Sequence, residues 1–265
     1  MKVLLVNGSP REKGNTATAL SEIAAQLHKN GIDTETLWIG NKPVRGCIAC
    51  GRCKASGAGR CIFDDDICNR ISERFADADA LIVGSPVYYG QPNGALLSVI
   101  QRAFFSNGDA IAGKPAAAVA VCRRGGATAS FEALNLPFQM MNMPIVTSQY
   151  WNIVYGREPG QAALDAEGMQ TMRALANNMA FLLKATGGVP APGRGAEPGA
   201  PMHFIREDRT PLTGKSSPSA ATSRQRMPWR RTPGTAPRRP PTRPGAAAWR
   251  AAPCRARSRT RPRYP

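Results

Sequence analysis

Histidine is nearly absent from this chain of 265 residues: His28 and His203 are the only two. That scarcity weighs against zinc sites that pair cysteine with histidine elements. No stretch approaches the roughly eighteen apolar residues of a membrane helix, so no membrane partner is expected. The opening "MKVLLVNGSP" is too short an apolar run for the core of an export signal. Cytoplasmic residence follows as the expectation, and with it reduced thiols rather than disulfides. Two nucleotide signatures are also missing: there is no G-x-G-x-x-G and no G-x-x-x-x-G-K-[ST].

Acidic residues are missing from one end. All eighteen lie within residues 1–210, whereas residues 211–265 hold Lys215, thirteen arginines and eleven prolines. The formal charge of +17 therefore comes mostly from this stretch; the rest carries 35 − 14 = 21 basic against 18 acidic residues, a net +3. A segment so poor in apolar periodicity cannot bury enough surface to offset its ordering entropy, and it reads as a disordered tail. Arginine-rich tails bind nucleic acid non-specifically through phosphate neutralisation, but no folded nucleic-acid motif accompanies this one. Residues 187–210 read as a Gly/Pro-rich extension, leaving 1–186 as the folded domain.

Within that domain, short apolar runs alternate with helical periodicity. Strands are expected at 2–6, 34–39, 79–87, 116–122 and 144–151. Helices are expected from Asn15 to Gly31 and at 67–78, 93–104, 130–141 and 162–185. Five strands alternating with helices define an α/β fold, a doubly wound five-stranded parallel sheet covered on both faces. Its ligands belong at the carboxyl ends of the strands.

Three loops converge on that rim. "NGSPREKGNTATAL" follows the first strand and opens the first helix. Its hydroxyls and amides at Ser9, Asn15, Thr16 and Thr18, with Arg11 or Lys13 for charge, suit a phosphate at a helix N-terminus. "GSPVYYGQPNG" offers Tyr88 or Tyr89 as a flat wall for a planar ring. "CRRGGATAS" supplies a third Gly-rich turn after the fourth strand.

"GSPREKGNT", "SPVYYG" and a cysteine loop ending in "CIFDDD" resemble the NADPH-dependent FMN reductase group of flavodoxin-like proteins, in particular its iron–sulfur flavoprotein branch. The resemblance spans roughly residues 1–185, with "HFIR" (203–206) matching the family's usual end. It implies a flavodoxin-like strand order of 2-1-3-4-5, with FMN as cofactor and NAD(P)H as co-substrate. By analogy Ser9, Arg11, Asn15 and Thr16 hold the FMN phosphate. Pro86, Val87, Tyr88, Tyr89 and Gly90 border the isoalloxazine ring, and Gly125 and Gly126 close the site. It also implies a homodimer or homotetramer. No side-chain acid or base is nominated, because the flavin carries the chemistry.

The cysteines of "GCIACGRCKASGAGRC" have the spacing C-x2-C-x2-C-x7-C: Cys47, Cys50, Cys53 and Cys61. Three thiolates two residues apart with a fourth on a return loop suit a [4Fe–4S] cluster. Zinc, or a loop with no metal, remain the alternatives. The loop follows the second strand, which sets it beside the flavin crevice, and Arg45, Arg52, Lys54 and Arg60 surround it. Cys122 reads as a small core residue and Asp66 as a helix cap. The expected function is an FMN-dependent oxidoreductase passing electrons between NAD(P)H or a ferredoxin-type donor and a small-molecule or protein acceptor, through FMN and the cluster. A cluster-free FMN or quinone reductase, a one-electron carrier, and a nucleic-acid binder acting through its tail are the rival readings.

Overall fold

A computed structural model describes residues 1–192. Strand β1 (Lys2–Asn7) leads to helix α1 (Asn15–Lys29), then β2 (Asp33–Trp38), short helices α2 (Arg52–Ser56) and α3 (Cys68–Glu73), and β3 (Ala80–Tyr88). A two-residue β4 (Gln91–Pro92) precedes α4 (Gly94–Asn107), β5 (Ala116–Cys122), α5 (Ala127–Met140), β6 (Ile153–Tyr155) and α6 (Ala166–Thr186). The sheet runs β2-β1-β3-β5-β6, all parallel, while β4 folds back antiparallel on β3. Once β4 is set aside, this is the expected 2-1-3-4-5 order.

Alternation across the pleat builds two cores. Val3 and Leu5 of β1, Ile82 of β3 and Ala117 and Val119 of β5 face α1 and α6, where Leu20, Ile23, Met172, Leu175 and Met179 cover them. Leu4, Val6, Leu81, Val83 and Ala118 face the other way, under Ile71 of α3, Leu96, Val99 and Phe104 of α4, and Leu134 and Phe138 of α5. Each fully buried side chain of this size contributes about 1.5–3 kcal/mol against exposure. The two apolar faces explain why the strands read as continuous hydrophobic runs rather than alternating ones.

Two expectations need correction. The fifth strand was placed at 144–151, but there Ile145 makes only an isolated bridge to Ala116, and the strand forms at Ile153–Tyr155. The intervening residues leave the ladder because Ser148 closes a local turn, its hydroxyl donating to the Tyr150 carbonyl at 2.6 Å, and Tyr150 and Trp151 stack outward with ring centroids 5.0 Å apart. Asn152 restores the register, its carbonyl accepting from Ala120 N–H and its amide donating to the Ala118 carbonyl. The helix expected at 67–78 also stops early, at Glu73.

α6 ends in a left-handed Gly187. The start of the extension then lies on the body, with Ala191 N–H donating to the Gly113 carbonyl and Asn142 to that of Pro192. The remainder of the extension, "HFIR" and the tail at 211–265 lie outside the described residues. Among the described residues no helix is long and apolar enough to cross a membrane.

The rim is set by close packing at Gly8, whose N–H donates to the Gly84 carbonyl at 2.8 Å. A methyl group there would collide with Leu96 Cδ2 and lie 2.7 Å from the Gly84 oxygen. Gly8→Ala is accordingly expected to destabilise the fold by about 1–3 kcal/mol, read as a lower denaturation midpoint with unchanged slope.

Candidate functional site

The loop from Gly8 to Gly14 is shaped by its own polar groups. The Asn7 carboxamide accepts from Ser9 N–H at 3.1 Å, and Ser9 Oγ accepts from Arg11 N–H at 3.1 Å. Trp38, the last residue of β2, donates its indole N–H to the Ser9 carbonyl at 2.6 Å. Helix α1 has no side-chain cap, so its first N–H groups are left to meet an anion. Across from it, Asn93 caps α4 by accepting from Ala95 N–H and donates to the Gly8 carbonyl at 2.7 Å.

A cleft of about 180 Å³ opens at this rim. Ser9, Arg11, Asn15 and Thr16 line one side, Pro86, Val87 and Tyr88 another. Seven of the eleven residues expected to hold the cofactor are thus brought together. Tyr89, Gly90, Gly125 and Gly126 do not line the cleft. Gly126, with φ +82°, packs so closely on Gly90 and Val87 that a side chain would lie 2.7 Å from Gly90 Cα, and it joins the two turns that carry the cleft's lip. Asn15 is also tied from behind, accepting from Ala162 N–H at 3.1 Å. The rest of the lining is Val121, Cys122, Arg123, Gly156 and Arg157. Gly156 and Arg157 went unread because the strand that delivers them was placed too early; "YGREPG", a turn after an apolar triplet, was the available signal. Cys122 is buried, as expected of a core residue, and burial raises its thiol above the ordinary value.

The cysteine segment leaves the same rim after β2. Left-handed Ala49 (φ +53°), Gly51 and Gly57 turn it around α2. None of the four thiols is bridged; Cys47 and Cys50 are exposed and Cys53 buried. All four line one narrow cavity of about 20 Å³, with Ile48, Ile62, Phe63, Phe105 and Arg102. Among the described residues no three Cys, His, Asp or Glu side chains converge closely enough to hold one metal ion.

Arg102 is another residue that sequence reasoning missed. It lies on α4 and is only 1% exposed, unusual for an arginine. Its guanidinium pairs with Asp66 and donates to the Arg45 carbonyl at 3.2 Å, the Phe63 carbonyl at 3.0 Å and Cys61 Sγ at 3.4 Å. Burial works against its charge, but the bonds to Asp66 and Cys61 outweigh this and hold it protonated beyond its usual range. Asp66 also accepts from Cys68 N–H at 3.0 Å, but the cap position of α3 is Ile67, one residue later than expected, and it has no side-chain cap bond. Asn69, also unforeseen, accepts from Cys61 N–H at 2.9 Å and donates to the Cys61 and Phe63 carbonyls. The expected basic ring is largely spoken for: Arg45 pairs with Asp65, Arg60 with Asp64 and Glu73, and Lys54 sits over the Phe105 ring. Hydrogen bonding from Asn69 and the charge of Arg60 hold the Asp64 carboxyl below its ordinary value. Exposed pairs of this kind contribute little to stability.

With the geometry in hand, comparison with known proteins is direct. Residues 1–158 match the NADPH-dependent FMN reductase family, and the chain belongs to it. An iron–sulfur flavoprotein of Methanocaldococcus jannaschii is 32% identical over 192 residues, a match covering 69% of this chain and 98% of that one. An iron–sulfur flavoprotein of Methanosarcina thermophila is 28% identical over 190 residues, covering 69% and 96%. Among solved structures, RosB with a bound 8-demethyl-8-formylriboflavin-5'-phosphate intermediate aligns with a TM-score of 0.56 at 14% identity, over 83% of this chain and all of that one. The apo form of an NADH:FMN oxidoreductase aligns at 0.50 and 15%, over 68% and 89%. Both structural likenesses show the fold. The chain is an FMN-dependent oxidoreductase.

Cys68 lies beneath the cysteine segment, fully buried, and burial pushes its thiol up to about 12 from an ordinary 9.0. The neutral thiol therefore stabilises the fold fully below about 9, and that contribution is lost as pH rises towards 12. In metal-free protein at about pH 8, iodoacetamide is expected to label the exposed Cys47 and Cys50 first and Cys68 only after unfolding. Peptide mass spectrometry over time checks this; early labelling of Cys68 in native protein contradicts it.

Proposed function

We propose that the chain is an iron–sulfur flavoprotein, moving electrons between NAD(P)H or a ferredoxin-type donor and an acceptor, with FMN in the rim cleft and a [4Fe–4S] cluster on Cys47, Cys50, Cys53 and Cys61. The observation that carries the reading is that four unbridged thiols share one apolar cavity on the same rim as a phosphate-type loop. When bound, the flavin exchanges one or two electrons and the cluster one at a time.

The chain's own residues supply the binding. Ser9 Oγ, Thr16 and the uncapped end of α1 offer donors to the FMN phosphate, and Arg11 and Arg157 offer charge. Pro86, Val87 and Tyr88 form the wall against the ring, while Tyr89, Gly90, Gly125 and Gly126 shape the turns behind it. Soft thiolates suit iron–sulfur clusters, and all four thiols line one cavity. The cavity is narrow, about 20 Å³. That narrowness favours one second reading, a cluster-free NAD(P)H-dependent FMN reductase with an empty cysteine loop.

The folded domain is proposed to be residues 1–186, acting as a homodimer or homotetramer. An apolar groove of about 610 Å³ between α4 and α5, with Phe105, Leu136 and Met140 exposed, is a face a second copy would cover. The arginines behind the nucleic-acid reading lie outside the described residues.

Anaerobic purification with a visible spectrum and iron and sulfide assays tests the reading. About four irons per chain with flavin bands are expected, and Cys50→Ser should lose iron while keeping FMN. Flavin with no iron, even after reconstitution, leaves the cluster-free enzyme; neither flavin nor iron rejects both.

A further inference from the structure

The cysteine segment is held from outside itself: Asn69 of α3 grips its far end, and Arg102 alone bonds both ends. Arg102 belongs to α4, on the covering layer, some forty residues after the last of the four cysteines. Its two carbonyl partners bracket the segment: Arg45 lies two residues before Cys47, and Phe63 two residues after Cys61. A single guanidinium thus draws both ends of the loop together. The entropy of closing a loop of this length is met at one point.

The guanidinium's bonding shows which of its donors faces sulfur. A guanidinium has five N–H groups in a fixed fork. Nη1 and Nη2 are engaged by Asp66 and the two carbonyls, and Nε–H is aimed at Cys61 Sγ at 3.4 Å. Phe63 is held as well, its ring lying under the guanidiniums of both Arg45 and Arg102, at 4.5 and 5.6 Å from the centroid. A brace needing only charge and carbonyls would not direct an N–H at sulfur. Lysine could not copy it, since an ammonium has no planar fork.

We propose that Arg102 is a positioning residue for the cluster. It closes the cysteine segment at both ends before any iron is bound, and it donates one N–H to the sulfur of the ligand Cys61. The proposal rests on the iron–sulfur reading for its second half and on this chain's own contacts for its first. A hydrogen bond to a ligand sulfur, and the positive charge behind it, favour the reduced and more negative cluster and raise its potential. Asp66 opposes that effect by partly neutralising the guanidinium, so the two residues push the potential in opposite directions.

The test uses the full chain, reconstituted anaerobically with iron and sulfide, as wild type, Arg102→Lys, Arg102→Gln and Asp66→Asn. FMN per chain reports that each variant is folded. Redox titration followed by electron paramagnetic resonance gives the cluster potential, and loss of iron to a chelator gives its hold. Arg102→Lys and Arg102→Gln are expected to lower the potential and to speed iron loss about 10- to 100-fold. Asp66→Asn is expected to raise the potential. In iron-free protein, amide hydrogen exchange across residues 46–62 should quicken in both Arg102 variants, with exchange in β1 and β5 unchanged.

If the Arg102 variants keep FMN and match wild type in potential, iron loss and loop exchange, the proposal is overturned. It is also overturned if Asp66→Asn shifts the potential in the same direction as Arg102→Gln. Should Arg102→Gln fail to hold FMN, Arg102→Lys and Asp66→Asn decide. If wild type takes up no cluster, the iron–sulfur reading and the sulfur-donor role fall together, and hydrogen exchange still decides whether Arg102 closes the loop.

Discussion

Burial of the central sheet on both faces is the constraint from which the rest follows. β5 is covered along its whole length, and β1 along all but its first residue, so these strands meet a ligand only at their carboxyl ends, where Val121 and Cys122 border the cleft. What a sheet of this kind can offer a ligand is its rim, where strands end and backbone groups go unpaired. The connections leaving that rim after β1, β2, β3 and β5 carry the phosphate-type loop, the cysteine segment, the tyrosine turn and the Gly126 turn. Packing therefore decides where function can sit before any functional residue is chosen.

The two sites on the rim are built differently. The cleft is lined from the ends of β3 and β5, the start of α1 and the loops after β1, β5 and β6, Arg11, Arg123 and Arg157 among them, and close approaches such as Gly126 against Gly90 shape its lip. The cysteine site depends on long-range side chains: Arg102 from α4 and Asn69 from α3 hold a segment that makes little regular structure of its own. A buried ion pair is costly to assemble and destabilising to break on one side. Its burial beside four cysteines sets it apart from the solvent-exposed pairs of Arg45 and Arg60 nearby.

Much of this was legible in the chain itself. β1 and β5 are apolar runs with nothing polar to compete, and the cysteine spacing and the "NGSPREKGNT" loop are local signals that survive folding unchanged. β6 was misplaced because "PIVTSQYW" has strand-like composition, while its polar turn at Ser148 acts only once Ala116 and Ala120 are there to bond on either side of it. Arg157 was lost with it. Arg102 and Asn69 were illegible for another reason: each owes its role to partners far off in sequence or to a loop conformation that no periodicity encodes.

Trp38 joins the end of β2 to the turn at Ser9, across 29 positions of sequence. That strut lies upstream of the cysteine segment, and Arg45 and Phe63 fasten the segment's own ends to α4. The metal-type insert is thus mounted on its own anchors, and the flavin-side turn keeps its brace whatever the insert contains. Such a layout is modular: the stretch between those anchors and the neighbouring turn hang on separate bonds, so a change in the length or cysteine content of the one leaves the bracing of the other in place.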